Sequence, residues 1–472
     1  FLYCENLPYV DVPDTLESAG SYIASDTTQL RCSIGSSAAY TLSKKNNSFY
    51  NNGYGLCYTY ADRDGSVTGL ALLKYAGTEA EVRVPDGVTE LLYLSFCSNS
   101  AVTSVILPET VVKIGEKAFS ECKNLTSVTI PQGIVEIQSY AFLMSPKLKV
   151  IDIPDGLQKA ARLAEDNVQF RCSFGSSAAF ALSKGGNNFC TGDFQMRYLF
   201  DDEGNRNGLR LNKYLGTDAE VTVPEEVTET GSAFKDCKTV TKVVLPAGLT
   251  KLESDIFSGC TALKEIAIPE GVTSIGNGAF RDCEALTELA LPQGLKKIES
   301  YVFIGCTGLS YIDIPDGLET AGNWIADDSV QLRCSLGSSA AIALSKSDNG
   351  FCVDGLRLCY RFDDDGNTNG LTAKRYLGSE TEVTVPDGVD SIGDSAFYGC
   401  NGLTKLALPQ GLKEIGGNAF LGCEGLSYID IPDGVEKVNG RIASESTQLR
   451  CSLGSSAAIA LSKSDNGFCV DG

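Results

Sequence analysis

Four short stretches gather residues with reactive potential. TQLRCSIGSSAAYTLSK at 28–44 returns as VQFRCSFGSSAAFALSK, VQLRCSLGSSAAIALSK and TQLRCSLGSSAAIALSK, with Cys32, Cys172, Cys334 and Cys451 marking the copies. A serine nucleophile needs an activating base beside it. The motif supplies neither a histidine nor a Ser-x-x-Lys arrangement, and the whole chain contains no His. A cysteine next to an arginine could suggest a cysteine phosphatase, but the residues that would cradle a phosphate stand in the wrong order. The same letters read well as architecture. Gly and Ser stand where a helix starts, the alanines favour its interior, and Lys lies near its end, where the helix dipole favours a cation. The motif therefore predicts a capped helix of about two turns, and the chain offers no catalytic residue.

The other candidates for chemistry are thiols and carboxylates. Of the 18 cysteines, eight (Cys4, Cys122, Cys237, Cys260, Cys283, Cys306, Cys400 and Cys423) follow a phenylalanine by three residues. Stacked repeats would line them up as compact buried thiols, whose parallel side chains suit a disulfide poorly. Cys352 and Cys359 could pair, but their counterparts are Tyr50 with Cys57 and Cys190 with Arg197. There is no Cys-x-x-Cys pair and no His, so no metal or other cofactor is expected. The acidic stretches DRDGSVTG, DDEGNRNG and DDDGNTNG lack the full carboxylate pattern of a calcium loop, and Ala61 replaces the aspartate of Asp201 and Asp363. A hairpin turn between LRLCYRF and LTAKRYL accounts for them.

A formal net charge of −21 excludes phosphate backbones as partners, and no apolar run reaches the roughly 18 residues of a membrane span. The first residues, FLYCENLPYV, carry neither a signal-peptide pattern nor an initiating Met. Both ends interrupt a repeat, so the chain is expected to be a fragment of a longer protein.

What positions these residues is a repeat. Pro85, Pro108, Pro131 and Pro154 are spaced by 23, as are Pro246, Pro269, Pro292 and Pro315, and Phe234, Phe257, Phe280 and Phe303. One unit, LKEIAIPEGVTSIGNGAFRDCEA, alternates Leu263, Ile266 and Ile268 as a strand does, then closes at Pro269. Its GNGAFRDC portion predicts a short helical or irregular turn that carries Phe280 inward. No single unit can bury both its strand face and its Phe, so units must stack.

The pattern Leu-x-x-Ile-x-Ile-Pro, then Val-x-x-Ile-Gly, then Ala-Phe-x-x-Cys, resembles the BspA-like leucine-rich repeat of bacterial cell-surface proteins. The resemblance implies an α/β, strand-rich leucine-rich repeat solenoid of ~23-residue turns, with parallel strands on one face and short helices or irregular turns on the other. It also implies an extracellular or cell-surface location and attachment to host matrix proteins or other cells. In such proteins a stretch like GSSAA, followed by a Phe, packs against the coil; Phe49, Phe189, Phe351 and Phe468 match that Phe.

Longer modules overlay the short repeat. Pro13 to Pro85, Pro154 to Pro224 and Pro315 to Pro386 each span about three units. The predicted organisation is one continuous solenoid over 1–472: a partial repeat at 1–16, modified turns with a short helix and hairpin at 17–79, repeats at 80–158, modified turns at 159–218, repeats at 219–319, modified turns at 320–380, repeats at 381–436 and partial modified turns at 437–472.

Outward positions on the strands are the binding candidates. In LSYIDIP, Leu309, Ile312 and Ile314 face inward, leaving Tyr311 and Asp313 outside; in QLRCS, Gln331 and Arg333 are outside. In-register stacking would set Asp313 beside Arg333 and Tyr311 beside Gln331. The pattern recurs as Tyr9, Asp11, Gln29 and Arg31, as Asp152 and Arg171 with Val150 in place of the tyrosine, and as Tyr428, Asp430, Gln448 and Arg450. An ion pair that fixes register explains the charges; a polar and aromatic contact patch is the functional alternative. Trp324 is a weaker candidate, its counterparts read as Tyr22, Leu163 and Arg441. The expected function is noncatalytic adhesion through multivalent contacts with protein ligands; the alternative is a stalk that presents another domain.

Overall fold

The computed structural model describes the chain except residues 3, 5, 26, 62–64, 348, 465 and 471–472. The chain forms two compact units, Phe1–Gly216 and Thr217–Gly472. Each is a strand-rich parallel solenoid. In the first, the strands Glu81–Arg83, Ser104–Ile106 and Ser127–Thr129 pair in parallel register, so Val82, Val105 and Val128 form one buried row. A second row follows after the Pro-Gly turn: Val88–Leu91, Lys113–Ile114, Glu136–Ile137 and Lys159–Ala160. The second unit repeats this with Glu220–Thr222, Lys242–Val244 and Glu265–Ala267, and with Lys251–Leu252, Ser274–Ile275, Lys297–Ile298 and Thr320–Ala321.

The GNGAFRDC portion is an irregular turn. It passes twice through the left-handed region, as at Gly278 (φ 59°) and Asp282 (φ 60°), and so swings Phe280 to the inside. Asn, Asp and Gly tolerate that region best, which explains their density here. The phenylalanines then stack as a ladder, with centroids 5.4 Å apart from Phe234 to Phe257, 5.4 Å from Phe257 to Phe280 and 5.8 Å from Phe280 to Phe303. Each is fully buried. Beyond its hydrophobic burial, each ring pair adds about 0.5–1.5 kcal/mol.

All 18 cysteines are unbridged. Of the eight in the Phe-x-x-Cys column, Cys122, Cys260, Cys283, Cys306 and Cys423 are buried, and each thiol points at the carbonyl of the Phe one turn earlier, as Cys283 Sγ does at Phe257 O (3.2 Å). Burial pushes the thiols of Cys122, Cys260 and Cys306 up to about 12, so they stay protonated. The expectation of eight buried thiols needs correction: Cys237 and Cys400 are half-buried and Cys4 is exposed. Cys400 stands one turn after a hairpin, where Tyr376 takes the place of the preceding Phe and stacks on Phe397 at 5.7 Å.

The modified turns break the parallel rows. After Gln29–Arg31 comes helix α1 (Ser37–Lys44), then Phe49–Asn51, then an antiparallel hairpin of Tyr54–Tyr60 and Val67–Tyr75. The hairpin's second strand pairs in parallel with Val88–Leu91 and so carries the sheet from the first row into the second. The same order recurs around α2 (Ser177–Lys184) and α3 (Ser339–Lys346), and in the fourth copy α4 (Ser456–Lys463) is followed by a parallel bridge from Cys469 to Arg450. Phe49, Phe189 and Phe351 are fully buried beneath the modified turns, whereas Phe468 is half-buried.

Candidate functional site

The repeated serines are committed to the fold. Ser36, Ser176, Ser338 and Ser455 cap the four helices, each side chain accepting from an amide three residues on, at 3.1 Å. Ser43, Ser183 and Ser345 are buried; the hydroxyl of Ser43 donates to Ala39 O (2.8 Å) and accepts from Tyr58 N (2.9 Å), and its two counterparts do the same. Burial raises the Cys172 thiol to about 11 and that of Cys334 to about 12, far from the thiolate a nucleophile needs.

Two sets of residues that hold the helix escaped the sequence reading. Asp14, Asp155, Asp316 and Asp433 accept a bond from the backbone N–H of the serine after the motif cysteine, at 2.8–2.9 Å, and this bonding keeps their carboxyls below the usual range. Asn47, Asn187, Asn349 and Asn466 tie the chain after the helix to the preceding turn; Asn349 Oδ1 accepts from Ile325 N (2.8 Å) while Nδ2 donates to Gly322 O (2.8 Å). The signal was an Asn at a fixed distance after each motif lysine.

The acidic hairpin turns are also occupied. Asp363 Oδ1 accepts from Asp365 N (3.1 Å) and Asn367 N (2.8 Å), and Asp201 makes the corresponding bonds. These bonds make each aspartate the internal brace of a tight turn. In the first copy, residues 62–64 lie outside the described residues. Among the described residues, no group of three or more Cys, Asp or Glu side chains is arranged to hold a metal ion.

The outward strand residues come together. Tyr311 pairs with Gln331 and Asp313 with Arg333; Tyr9 with Gln29 and Asp11 with Arg31; Asp152 with Arg171; Tyr428 with Gln448 and Asp430 with Arg450. Arg333 meets Asp313 through two parallel bonds (Nε to Oδ1 2.8 Å, Nη2 to Oδ2 3.0 Å), and Arg171 meets Asp152 likewise (2.7 and 2.9 Å). Arg450 Nε donates to Asp430 Oδ1 at 2.6 Å. The arginine does more than pair. Its guanidinium carbon sits over the ring of the tyrosine diagonally across the register, 3.4 Å from the ring centroid for Arg333 on Tyr311 and 3.6 Å for Arg450 on Tyr428 and Arg31 on Tyr9. Sequence spacing put Tyr beside Gln and did not foresee this stack, although a diagonal neighbour is within reach of a side chain as long as arginine.

The four copies differ in a graded way. Arg31 has the ring but, among the described residues, no ion pair with Asp11; Arg171 has the ion pair but Val150 in place of a ring; the third and fourth copies have both. Tyr9, Tyr311 and Tyr428 remain 42–43% exposed although each carries a guanidinium. Beside Tyr428, Asp430 and Arg450 lies a hollow of about 620 Å³ that Glu382 and Lys405 also border, and Asp313 and Arg333 border another of about 440 Å³.

Trp324 is 65% exposed and Tyr22 62%. Its counterpart in the second module is Arg162, which corrects the reading of Leu163. Leu163 is buried and its amide donates to Asn187, the bond that Ile325 makes to Asn349, one residue after Trp324.

A family model described as BspA type leucine rich repeat region matches six copies, at residues 78–169, 219–334 and 375–454, more than half of the chain. The chain belongs to the BspA-type leucine-rich repeat family. In this BspA-type chain the gaps in the match, 170–218 and 335–374, hold the helix and hairpin of the second and third modified turns. Among solved structures, a leucine-rich repeat protein from Bacteroides ovatus is similar (20% identity, 90% of this chain and 100% of that one, TM-score 0.33). So are a leucine rich cell surface protein from Faecalibacterium prausnitzii (19% identity, 90% and 95%, TM-score 0.24) and the pneumococcal vaccine antigen PcpA (15% identity, 90% and 99%, TM-score 0.30). No curated protein matches the chain. No helix among the described residues is long and apolar enough to cross a membrane.

Proposed function

We propose that this BspA-type chain is displayed at a bacterial surface and binds proteins, host matrix components or the surfaces of other cells, through the Tyr–Arg–Asp clusters of its first strand row. The observation that carries the reading is the cluster itself, an arginine stacked on an exposed tyrosine in three of four modules. An exposed ion pair contributes only about 0–1 kcal/mol to stability, so register alone gives weak reason to repeat one. Tyrosine and arginine are enriched where proteins bind proteins, because each offers a large rigid face with polar tips. Several modest sites on one chain gain avidity when the partner is itself repetitive or densely displayed. The net charge of −21 favours partners with basic patches and disfavours nucleic acid.

A stalk is the rival reading, supported by how many motif residues serve only to lock turns together. The two are separated by measuring binding of the purified chain to immobilised fibronectin, laminin and collagen. The adhesion reading expects saturable binding that falls when Tyr311 and Asp313 are both changed to Ala with folding intact. A chain that binds none of them, nor intact host or bacterial cells, supports the stalk.

A further inference from the structure

We propose that Tyr301 and Trp324 form a docking surface for an arginine-bearing segment of a basic protein partner. The inference uses residues of the second unit, apart from the Tyr–Arg–Asp clusters, and does not depend on those clusters. The two residues occupy corresponding places in successive turns. Tyr301 N donates to Trp324 O (3.0 Å) and Phe303 N to Ile325 O (2.7 Å), so the two backbones run side by side at about the spacing of paired strands, ~4.8 Å. Both residues take a left-handed φ, 62° and 54°, where the same corner in other turns holds Asp255, Gly278, Ser395 and Asn418. A bulky ring is disfavoured in that region. These rings gain little burial in return, since Tyr301 is 45% exposed and Trp324 65%. The chain thus accepts backbone strain in order to display two rings on neighbouring turns.

The same loops carry uncompensated negative charge. Further along the Tyr301 loop, Gly305 N donates to Asp327 Oδ2 (2.8 Å), and a Cβ on Gly305 would collide with Asp282 Oδ1, so two carboxylates bracket that glycine. Asp327 has no cationic partner among the described residues, and the ion pair of Asp282 is a long one, to Arg281 Nε at 3.8 Å. Elsewhere the chain shows what rings and carboxylates of this kind take up. Arg333 lies over Tyr311 while its fork holds Asp313, and lysines lie over Tyr60, Phe200 and Phe362. Among the described residues no cation lies over Tyr301 or Trp324, although an indole is the strongest ring for one. A guanidinium from a partner completes the set, because its plane stacks on a ring and its fork matches a carboxylate, which the compact ammonium of lysine does less well. The net charge of −21 draws a basic segment in and repels an anionic one.

Trp324 is the one tryptophan of the chain, so its fluorescence reports on this surface alone. The test titrates the full chain with acetyl-Gly-Arg-Gly-Arg-Gly amide, with the corresponding lysine and glutamate peptides, and with glucose. The expected result is a saturable change in Trp324 emission with the arginine peptide, affinity at least about threefold weaker for the lysine peptide, and no response to the glutamate peptide or glucose. Tyr301→Ala keeps the reporter and should weaken binding of the arginine peptide about tenfold with an unchanged melting temperature. Asp327→Asn keeps an oxygen to accept from Gly305 N but removes the charge. It should weaken binding about threefold, and it decides the matter where the alanine variant folds poorly. No response to the arginine peptide, equal binding of the lysine peptide, or binding that both variants leave unchanged overturns the proposal. A response to glucose, or to dilution of the chain alone, with none to the arginine peptide also overturns it and assigns the surface to a sugar or to a second copy.

Discussion

Between Phe234 and Phe303 the chain directs its specific side chains inward, whereas between Tyr311 and Tyr376 it uses them to hold a helix and hairpin and leaves a ring, a guanidinium and a carboxylate outside. The regular turns have stacked phenylalanines and thiols that satisfy the previous turn's carbonyls. The modified turns have Asp316, Ser338, Ser345 and Asn349, each bonded across elements, and above them Arg333 laid over Tyr311. Repetition thus serves two different ends. In the regular turns it extends a core; in the modified turns it repeats a surface at intervals along that core.

Breaking the regular part should cost most. Phe280→Ala removes a fully buried ring with a neighbour on each side, and chemical denaturation should show a loss of about 3–5 kcal/mol. Asn349→Ala leaves the amide of Ile325 and the carbonyl of Gly322 without a side-chain partner, for about 1–3 kcal/mol. Ser338→Ala uncaps α3 and should cost about 1 kcal/mol. Asp313→Ala should change stability by no more than about 1 kcal/mol, since its side chain is 72% exposed. If it costs as much as Asn349→Ala, the cluster belongs with the architecture and the contrast drawn above fails.

Acid provides a finer probe. Bonding to Ser335 lowers the folded-state pKa of Asp316 from 3.8, so its contribution is fully present above that value and is lost as pH falls through the lowered one. Melting temperature followed into that acid range should therefore fall less steeply for Asp316→Asn than for the native chain.

Much of the regular part was legible in the sequence, because a Pro or Phe recurring every 23 residues can satisfy its turn and its core only by stacking. The strand register at Asp313 and Arg333 followed from the same alternation. The tilt of the guanidinium onto Tyr311 did not, since it depends on a diagonal reach that residue spacing does not encode. The helix-holding Asn349 was missed because its partners, Gly322 and Ile325, belong to the preceding turn. Trp324 was set against Leu163 instead of Arg162, since only the Asn187 and Asn349 bonds reveal which residue is buried in each module.

The central claim is that the stacked clusters make the contacts. Its most direct test is surface plasmon resonance of the native chain and of a variant with Tyr9, Tyr311 and Tyr428 all changed to Ala, over immobilised fibronectin, laminin and collagen. The account predicts that the variant melts within a few degrees of the native chain and binds at least about tenfold more weakly to whichever ligand the native chain holds. Equal binding by a folded variant would contradict it.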